Sequence, residues 1–183
     1  SKFSLTKIMN GSDPKGYNTL MSDVDEIAKQ LKRLSDADVP VLFRPLHEAS
    51  GGWFWWGADG SEAYKKLWQA IYDKLTNEYK LDNIIWVWNG QAANWYPGDE
   101  YVDIIGEDIY PGTRDYSAQS SKYLEATDCS PNGKIVALTE NGCLFDLDKA
   151  FDANTAWSYF GTWSGEFCIS SSEKYTEKSM WQK

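Results

Sequence analysis

A histidine and a glutamate close an apolar run at Val41-Leu42-Phe43-Arg44-Pro45-Leu46-His47-Glu48, and Gly51-Gly52-Trp53-Phe54-Trp55-Trp56-Gly57 follows at once. Carboxylate and imidazole groups are costly to bury unless they are paired or put to use. A carboxyl group beside indole rings can hand a proton to a glycosidic oxygen while the rings stack on sugar faces. A second acid stands in the same kind of place. Residues 135–138 form an apolar run, and Thr139-Glu140-Asn141-Gly142 follows it. Two carboxyl groups about 5–5.5 Å apart are what a retaining glycosidase needs, one as acid/base and one as nucleophile. Glu48 and Glu140 are the candidate pair.

The bulk composition narrows the substrate. The chain has 183 residues and a net charge of −9. Phosphate recognition needs clustered Lys and Arg, and only Lys65-Lys66 and Lys32-Arg33 are adjacent, both on helical faces that water can solvate. Nucleic acid is therefore excluded as a partner, and an uncharged polysaccharide suits the balance. Aromatic residues make up 15%, with ten Trp and eleven Tyr, more than a core of this size calls for. Some of those rings are expected to face a ligand. With one histidine and no CxxC pair among Cys129, Cys143 and Cys168, no metal or cofactor is expected. One disulfide is possible and leaves a thiol over. No apolar run reaches about 20 residues, so no membrane span is expected. No leader peptide opens the chain.

The elements that must position the two acids follow from hydrophobic period. Residues 1–22 show none and read as a loop. Val24, Ile27, Ala28, Leu31 and Leu34 share a helical face, with Ser22 as the expected N-cap. A strand is expected at 41–46, and Ser61 is expected to cap a helix that buries Tyr64, Leu67, Ile71 and Leu75. Further strands are expected at 84–88, 102–105, 135–138 and 157–163, and further helices at 117–124, 147–151 and 173–183. Strands alternating with helices, apolar on both faces, imply a parallel sheet. Two architectures compete: an open doubly wound sheet and a (β/α)8 barrel. Glu48, Asn89, Tyr110 and Glu140 crowd the ends of four strands, where barrel enzymes place their chemistry. Five strands are found where a barrel has eight, and a barrel typically takes about 250 residues.

At this point the motifs resemble those of glycoside hydrolase family 26, a family dominated by endo-β-1,4-mannanases. The resemblance is carried by Arg44-Pro45-Leu46-His47-Glu48 with the Trp-rich block. It continues through Trp86-Val87-Trp88-Asn89, Asn94-Trp95-Tyr96-Pro97-Gly98-Asp99, Asp103-Ile104-Ile105-Gly106 with Asp108 and Tyr110, Thr139-Glu140-Asn141-Gly142, and Thr162-Trp163. It implies an α/β fold of (β/α)8 TIM-barrel type, incomplete, with strands four to eight present and the first three βα units missing. Residues 1–183 then form a single domain, a partial catalytic barrel. A missing N-terminal segment or a second chain would complete it.

The resemblance also assigns roles. Glu48 becomes the acid/base and Glu140 the nucleophile. His47 becomes a hydrogen-bond partner near the nucleophile and the sugar at the cleavage point. Tyr110 would hold Glu140 through its hydroxyl, and Asp108 would orient polar groups nearby. Trp53 is expected to stack on a sugar beyond the cleavage point and Trp163 beneath the sugar being cleaved. Phe145 either lines the site or packs in the core. Arg44 is expected to support the nucleophile region by pairing with a carboxylate, and Trp55, Trp56 and Trp95 are expected to pack. The expected activity is endo-hydrolysis of β-1,4-mannan, glucomannan or galactomannan by a secreted, extracellular enzyme. The alternatives are a β-glucanase or xylanase of the same family, or a non-catalytic carbohydrate-binding module.

Overall fold

A computed structural model of the chain describes residues 3–167 and 172–183. Its contacts gather into two compact units, residues 1–103 and 104–183. Among the described residues no helix is long and apolar enough to cross a membrane.

The first unit opens on a helix where the sequence reading places a loop, and the helix expected from residue 23 starts nine residues earlier, at Pro14. Helix α1 spans Leu5–Met9 and α2 spans Pro14–Ser35. The correction has a local cause. Ser4 accepts from the Lys7 N–H, and Asp13 accepts from the Gly16 N–H at 2.9 Å with Pro14 next in line. Capping chemistry starts both helices in a stretch too polar to show a period. Ser22 therefore lies inside α2, and the buried stripe is Met21, Val24, Ala28 and Leu31. Ile27 and Leu34, expected on that face, are 45% and 39% exposed.

Strand β1 is only Val41–Phe43, shorter than expected. Pro45 has no N–H to give a ladder, and Leu46 turns to φ 54°. Helix α3 covers Ser61–Tyr72 and carries on in π-helical form over Asp73–Glu78. Gly60, at φ 88°, is its N-cap in place of Ser61. Tyr64, Leu67, Ile71 and Leu75 are all buried, as their spacing requires. Strand β2, Ile84–Trp88, runs parallel to β1 with Phe43 opposite Trp86. Trp86 packs against Phe43, Trp68 and Tyr72 at ring separations of 5.4, 5.8 and 5.0 Å. Fully burying a large apolar side chain contributes roughly 1.5–3 kcal/mol, so this cluster fixes α3 on the sheet. Leu42 and Ile85, one on each strand, are 52% and 36% exposed, so these two strands are not covered on both faces.

In the second unit three parallel strands lie in chain order: β3 Ile104–Ile109, β4 Ile135–Asn141 and β5 Phe160–Thr162. Both β3 and β4 run further than their apolar stretches. Glu107 and Asp108 are buried inside β3, and Glu140 is inside β4. Helix α4 is Ser120–Thr127 and α5 is Leu147–Asp152. The core holds Ile109, Ala118, Leu138, Phe145 and Ala150, with Trp157 against it. The expected last strand shrinks to β5. The expected last helix is a single 3-10 turn, Lys178–Gln182. Cys129 and Cys143 are thiols; Cys168 lies outside the described residues.

Candidate active site

The loop after β1 carries Glu48 on a strained backbone. Glu48 has φ 52° and ψ 33°, a left-handed conformation uncommon for a residue with a Cβ. Its N–H donates to the Asn89 carbonyl at 2.8 Å, and the Ser50 N–H donates to the Gly90 carbonyl at 3.1 Å. The loop is thus tied to the chain leaving β2. Arg44 Nη1 donates to Asn89 Oδ1 at 2.6 Å, and Asn89 Nδ2 donates to Gln91 Oε1 at 3.0 Å. Asn89 is completely buried, so these bonds prevent an orphaned amide. Sequence reasoning noted Asn89 only as strand-end polarity. Its place at the end of an apolar run was the available signal.

His47 lies within the aromatic block. Its ring centre is 4.8 Å from Phe54 and 5.8 Å from Trp56, and those two rings stack at 4.4 Å. The Trp56 indole N–H donates to the His47 carbonyl at 2.8 Å. Strand alternation does not set the direction of His47, because the strand ends at Phe43. Phe54 was given no role from the sequence, yet with Trp56 it fixes the imidazole. Trp53 is 66% exposed, and its ring lies over Gly51 so closely that a methyl group there would overlap it.

The second unit holds its acid differently. Glu140 is 6% exposed, and its Oε2 accepts the Tyr110 hydroxyl at 2.8 Å. A register shift in the β3–β4 ladder takes the pairing from Glu107 with Leu138 to Asp108 with Glu140. Thr139 is skipped, which sets Asp108 and Glu140 side by side. Asp108 Oδ1 accepts the Thr139 hydroxyl at 2.6 Å. Thr139 was not singled out beforehand; only its place in the Thr-Glu-Asn-Gly run marked it. Gly142 makes room for the Tyr110 ring, since a Cβ would stand 2.6 Å from Tyr110 Cδ1. The Trp163 N–H donates to the Asn141 carbonyl at 2.9 Å, which seats the 45% exposed Trp163 beside the end of β4. Phe145 is a core residue: it is 4% exposed, belongs to the apolar cluster and meets Phe160 edge-on at 5.4 Å. It packs among Ile109, Ala118, Leu138 and Ala150 instead of lining a surface.

One further acid is buried on β3. Glu107 is 4% exposed, and its carboxyl is pushed up to about 8. Burial is the main cause; Lys122 opposes it, and Asp108 and Glu125 add to it.

The first unit thus carries a carboxylate on the loop after β1, next to His47 and its aromatic block, and the second holds one inside β4 on the Tyr110 hydroxyl. The chain belongs to glycosyl hydrolase family 26, whose model matches residues 1–181. It is 43% identical over 167 residues to a mannan endo-1,4-beta-mannosidase of Thermothelomyces thermophilus, covering 90% of this chain and 34% of that protein. Among solved structures it is similar to a GH26-CBM35 beta-(1,4)-mannanase of Podospora anserina, with 40% identity and TM-score 0.87 over 98% of this chain and 40% of that one. It is also similar to a beta-mannanase from a symbiotic protist of the termite Reticulitermes speratus, complexed with gluco-manno-oligosaccharide. There the identity is 37% and the TM-score 0.88, over 100% of this chain and 56% of that one. The fold is accordingly α/β of the (β/α)-barrel type, incomplete, with five parallel strands. The chain spans about a third of the first curated relative's length.

Proposed function

We propose that residues 1–183 act as one partial catalytic barrel of a retaining endo-β-1,4-mannanase, with Glu140 as nucleophile and Glu48 as acid/base. The observation that carries this reading is the buried Glu140 carboxylate held on the Tyr110 hydroxyl in a family 26 chain. A nucleophile must be aimed, and a phenol donor on one carboxylate oxygen fixes its orientation. Glu48 stands instead on a half-buried loop, where a carboxyl group can exchange protons with a leaving group and then with water. Glu140 attacks the anomeric carbon while Glu48 protonates the departing oxygen. Glu48 then takes a proton from the water that releases the sugar from Glu140. The two carboxyl groups complete this cycle without a metal or cofactor.

In this scheme Trp53 and Trp163, both well exposed, supply stacking faces for the sugar chain, and His47 and Asp108 orient the polar groups at the cleavage point. The substrate is mannan, glucomannan or galactomannan, a polymer outside the cell, so the enzyme is secreted. A preceding segment or a second chain supplies the remaining strands. The exposed Leu42 on β1 supports that reading.

The test is incubation of the 183-residue chain with β-1,4-manno-oligosaccharides beside Glu48→Ala and Glu140→Ala. Shorter products from the parent and none from either variant are expected. Cleavage that survives both substitutions would refute the pair. A cooperatively folded chain that leaves every manno-oligosaccharide intact would refute the activity of this chain by itself.

A further inference from the structure

Trp55 parts company with its neighbours. Phe54 and Trp56 stack on each other and meet His47 at tilts of 48° and 44°, but Trp55 stands nearly perpendicular to Trp56, at 82°, and reaches Phe3. There it meets Phe3 edge-on, with ring centres 5.2 Å apart and planes at 84°. Packing alone does not account for this pair, because Trp55 is 43% and Phe3 53% exposed. Two perpendicular rings form an open corner.

That corner is one wall of a groove of about 690 Å3, within the range of about 300–1,000 Å3 usual for small-molecule sites. Ile8 of α1 and Leu20 of α2 line it with apolar surface. Lys15, Thr19 and Asp23 line it with polar atoms, and the same three continue into an adjoining hollow with Asn18 and Ser22. Lys15, Thr19 and Asp23 are four residues apart on one helix face, so they form a row. The Thr19 hydroxyl donates to the Lys15 carbonyl at 3.1 Å and keeps its lone pairs for a donor. One ammonium group balanced by carboxylates does not select an ion. Apolar corner, mixed donors and acceptors, and balanced charge together match a neutral polyol whose ring offers a C–H face and a rim of hydroxyls.

We propose that this groove is a second, non-catalytic sugar site that holds a short run of a neutral β-glycan on Trp55 and Phe3. It lies outside the residues assigned to cleavage and would keep the chain on an insoluble polymer by raising its effective concentration there. The naming of the glycan as mannan rests on the function proposed above; the site itself rests on the rings and the polar row.

The experiment is adsorption of the 183-residue chain to insoluble β-1,4-mannan, cellulose and xylan, for the parent, Trp55→Ala and Phe3→Ala. Hydrolysis of a soluble manno-oligosaccharide is measured alongside. Phe3 is 53% exposed, so its removal leaves the fold intact even if Trp55→Ala disturbs the loop. Mannan adsorption is expected to weaken about five- to tenfold in Trp55→Ala and severalfold in Phe3→Ala, with oligosaccharide cleavage within about twofold of the parent. Adsorption unchanged in both variants would overturn the proposal. So would a loss of adsorption matched by an equal loss of oligosaccharide cleavage in Phe3→Ala. Trp55-dependent adsorption to cellulose or xylan by a chain that leaves mannan uncut would uphold the site and refute the mannanase reading instead.

Discussion

Glu48 stands on a left-handed loop residue beyond a strand of three residues, whereas Glu140 stands inside a strand of seven. The first is half-buried, tied by backbone hydrogen bonds to the next strand's exit, and follows a histidine held against a stacked pair of rings. The second is buried, and its carboxylate is gripped by a side-chain donor. The difference suits two tasks in one reaction. A group that trades protons with a leaving group and then with water has to be reachable. A group that forms a bond to carbon has to be fixed. The left-handed backbone at Glu48 fits the same logic, since such strain persists only where the surroundings enforce it.

The largest effect that can break this comparison is chemical. Ala at Glu48 should lower cleavage of mannan by about 10²–10⁴-fold and spare kcat/KM, though not kcat, for substrates whose leaving group needs no proton. Ala at Glu140 should abolish both. Added azide would sharpen the contrast. It should rescue the Glu140 variant as a sugar azide of inverted configuration and the Glu48 variant as one of retained configuration. The opposite outcome would exchange the two roles.

Glu107 offers the next largest effect. It marks the second unit as the one that buries charge-bearing groups behind its site. In the unfolded chain its carboxyl loses its proton near 4.5, but in the fold only near 8. Between those values the folded chain holds more protons, so stability falls as pH rises through that window and levels off above it. Glu107→Gln should flatten this slope and leave the protein more stable at pH 8 by on the order of a few kcal/mol. Urea midpoints at pH 5, 6.5 and 8 measure it. Equal slopes in the two proteins would show that Glu107 is not the linked group.

The two acids were unequally legible in the sequence. The loop after β1 showed itself through residue types: a histidine, a glutamate, glycines and a run of indoles are rarely placed together without a task. What it hid was geometry. Nothing in Leu46 or Glu48 announces a positive φ, because neither is a residue that favours one. The acids of the second unit were legible as residues and misplaced as structure. Apolar content fades at Ile105 and Leu138, so β3 and β4 seemed to stop there. Both strands run on, because Asp108 and Thr139 bond to each other and Glu140 finds Tyr110. Partner groups far apart in sequence kept those polar residues inside the sheet. Helix α1 and the first part of α2, before residue 23, were missed for the opposite reason: they start on local caps at Ser4 and Asp13, which outweigh the absence of a period. Phe145 was ambiguous by type alone, and the core took it.

Tyr110→Phe probes the grip on Glu140 directly. A hydrogen bond to a charged group is worth about 1.5–3 kcal/mol, so kcat should fall about ten- to a hundredfold. Tyr110 is 44% exposed, and its ring stays in place against Phe167 at 5.4 Å, so thermal stability should hardly move. The loss should appear in formation of the glycosyl-enzyme more than in substrate affinity. A variant with full kcat would mean that burial alone fixes Glu140, and the contrast between the two acids would shrink to one of exposure.

Gly51→Ala gives the smallest effect and the most local one. The new methyl would overlap the Trp53 ring. That ring is the far end of a side chain 66% exposed, so it can swing away without moving the backbone. Stability should stay within about 0.5 kcal/mol of the parent, as for ordinary surface changes. If Trp53 stacks on a sugar, losing its position should cost about 0.5–1.5 kcal/mol of binding, read as a KM raised about two- to tenfold with kcat preserved. A fall in kcat would carry a different meaning. It would show that Trp53 and the acid move together, and that the loop carrying Glu48 is held as one body despite its few backbone ties. In that case the acid is fixed as firmly as the nucleophile, by packing instead of by a strand.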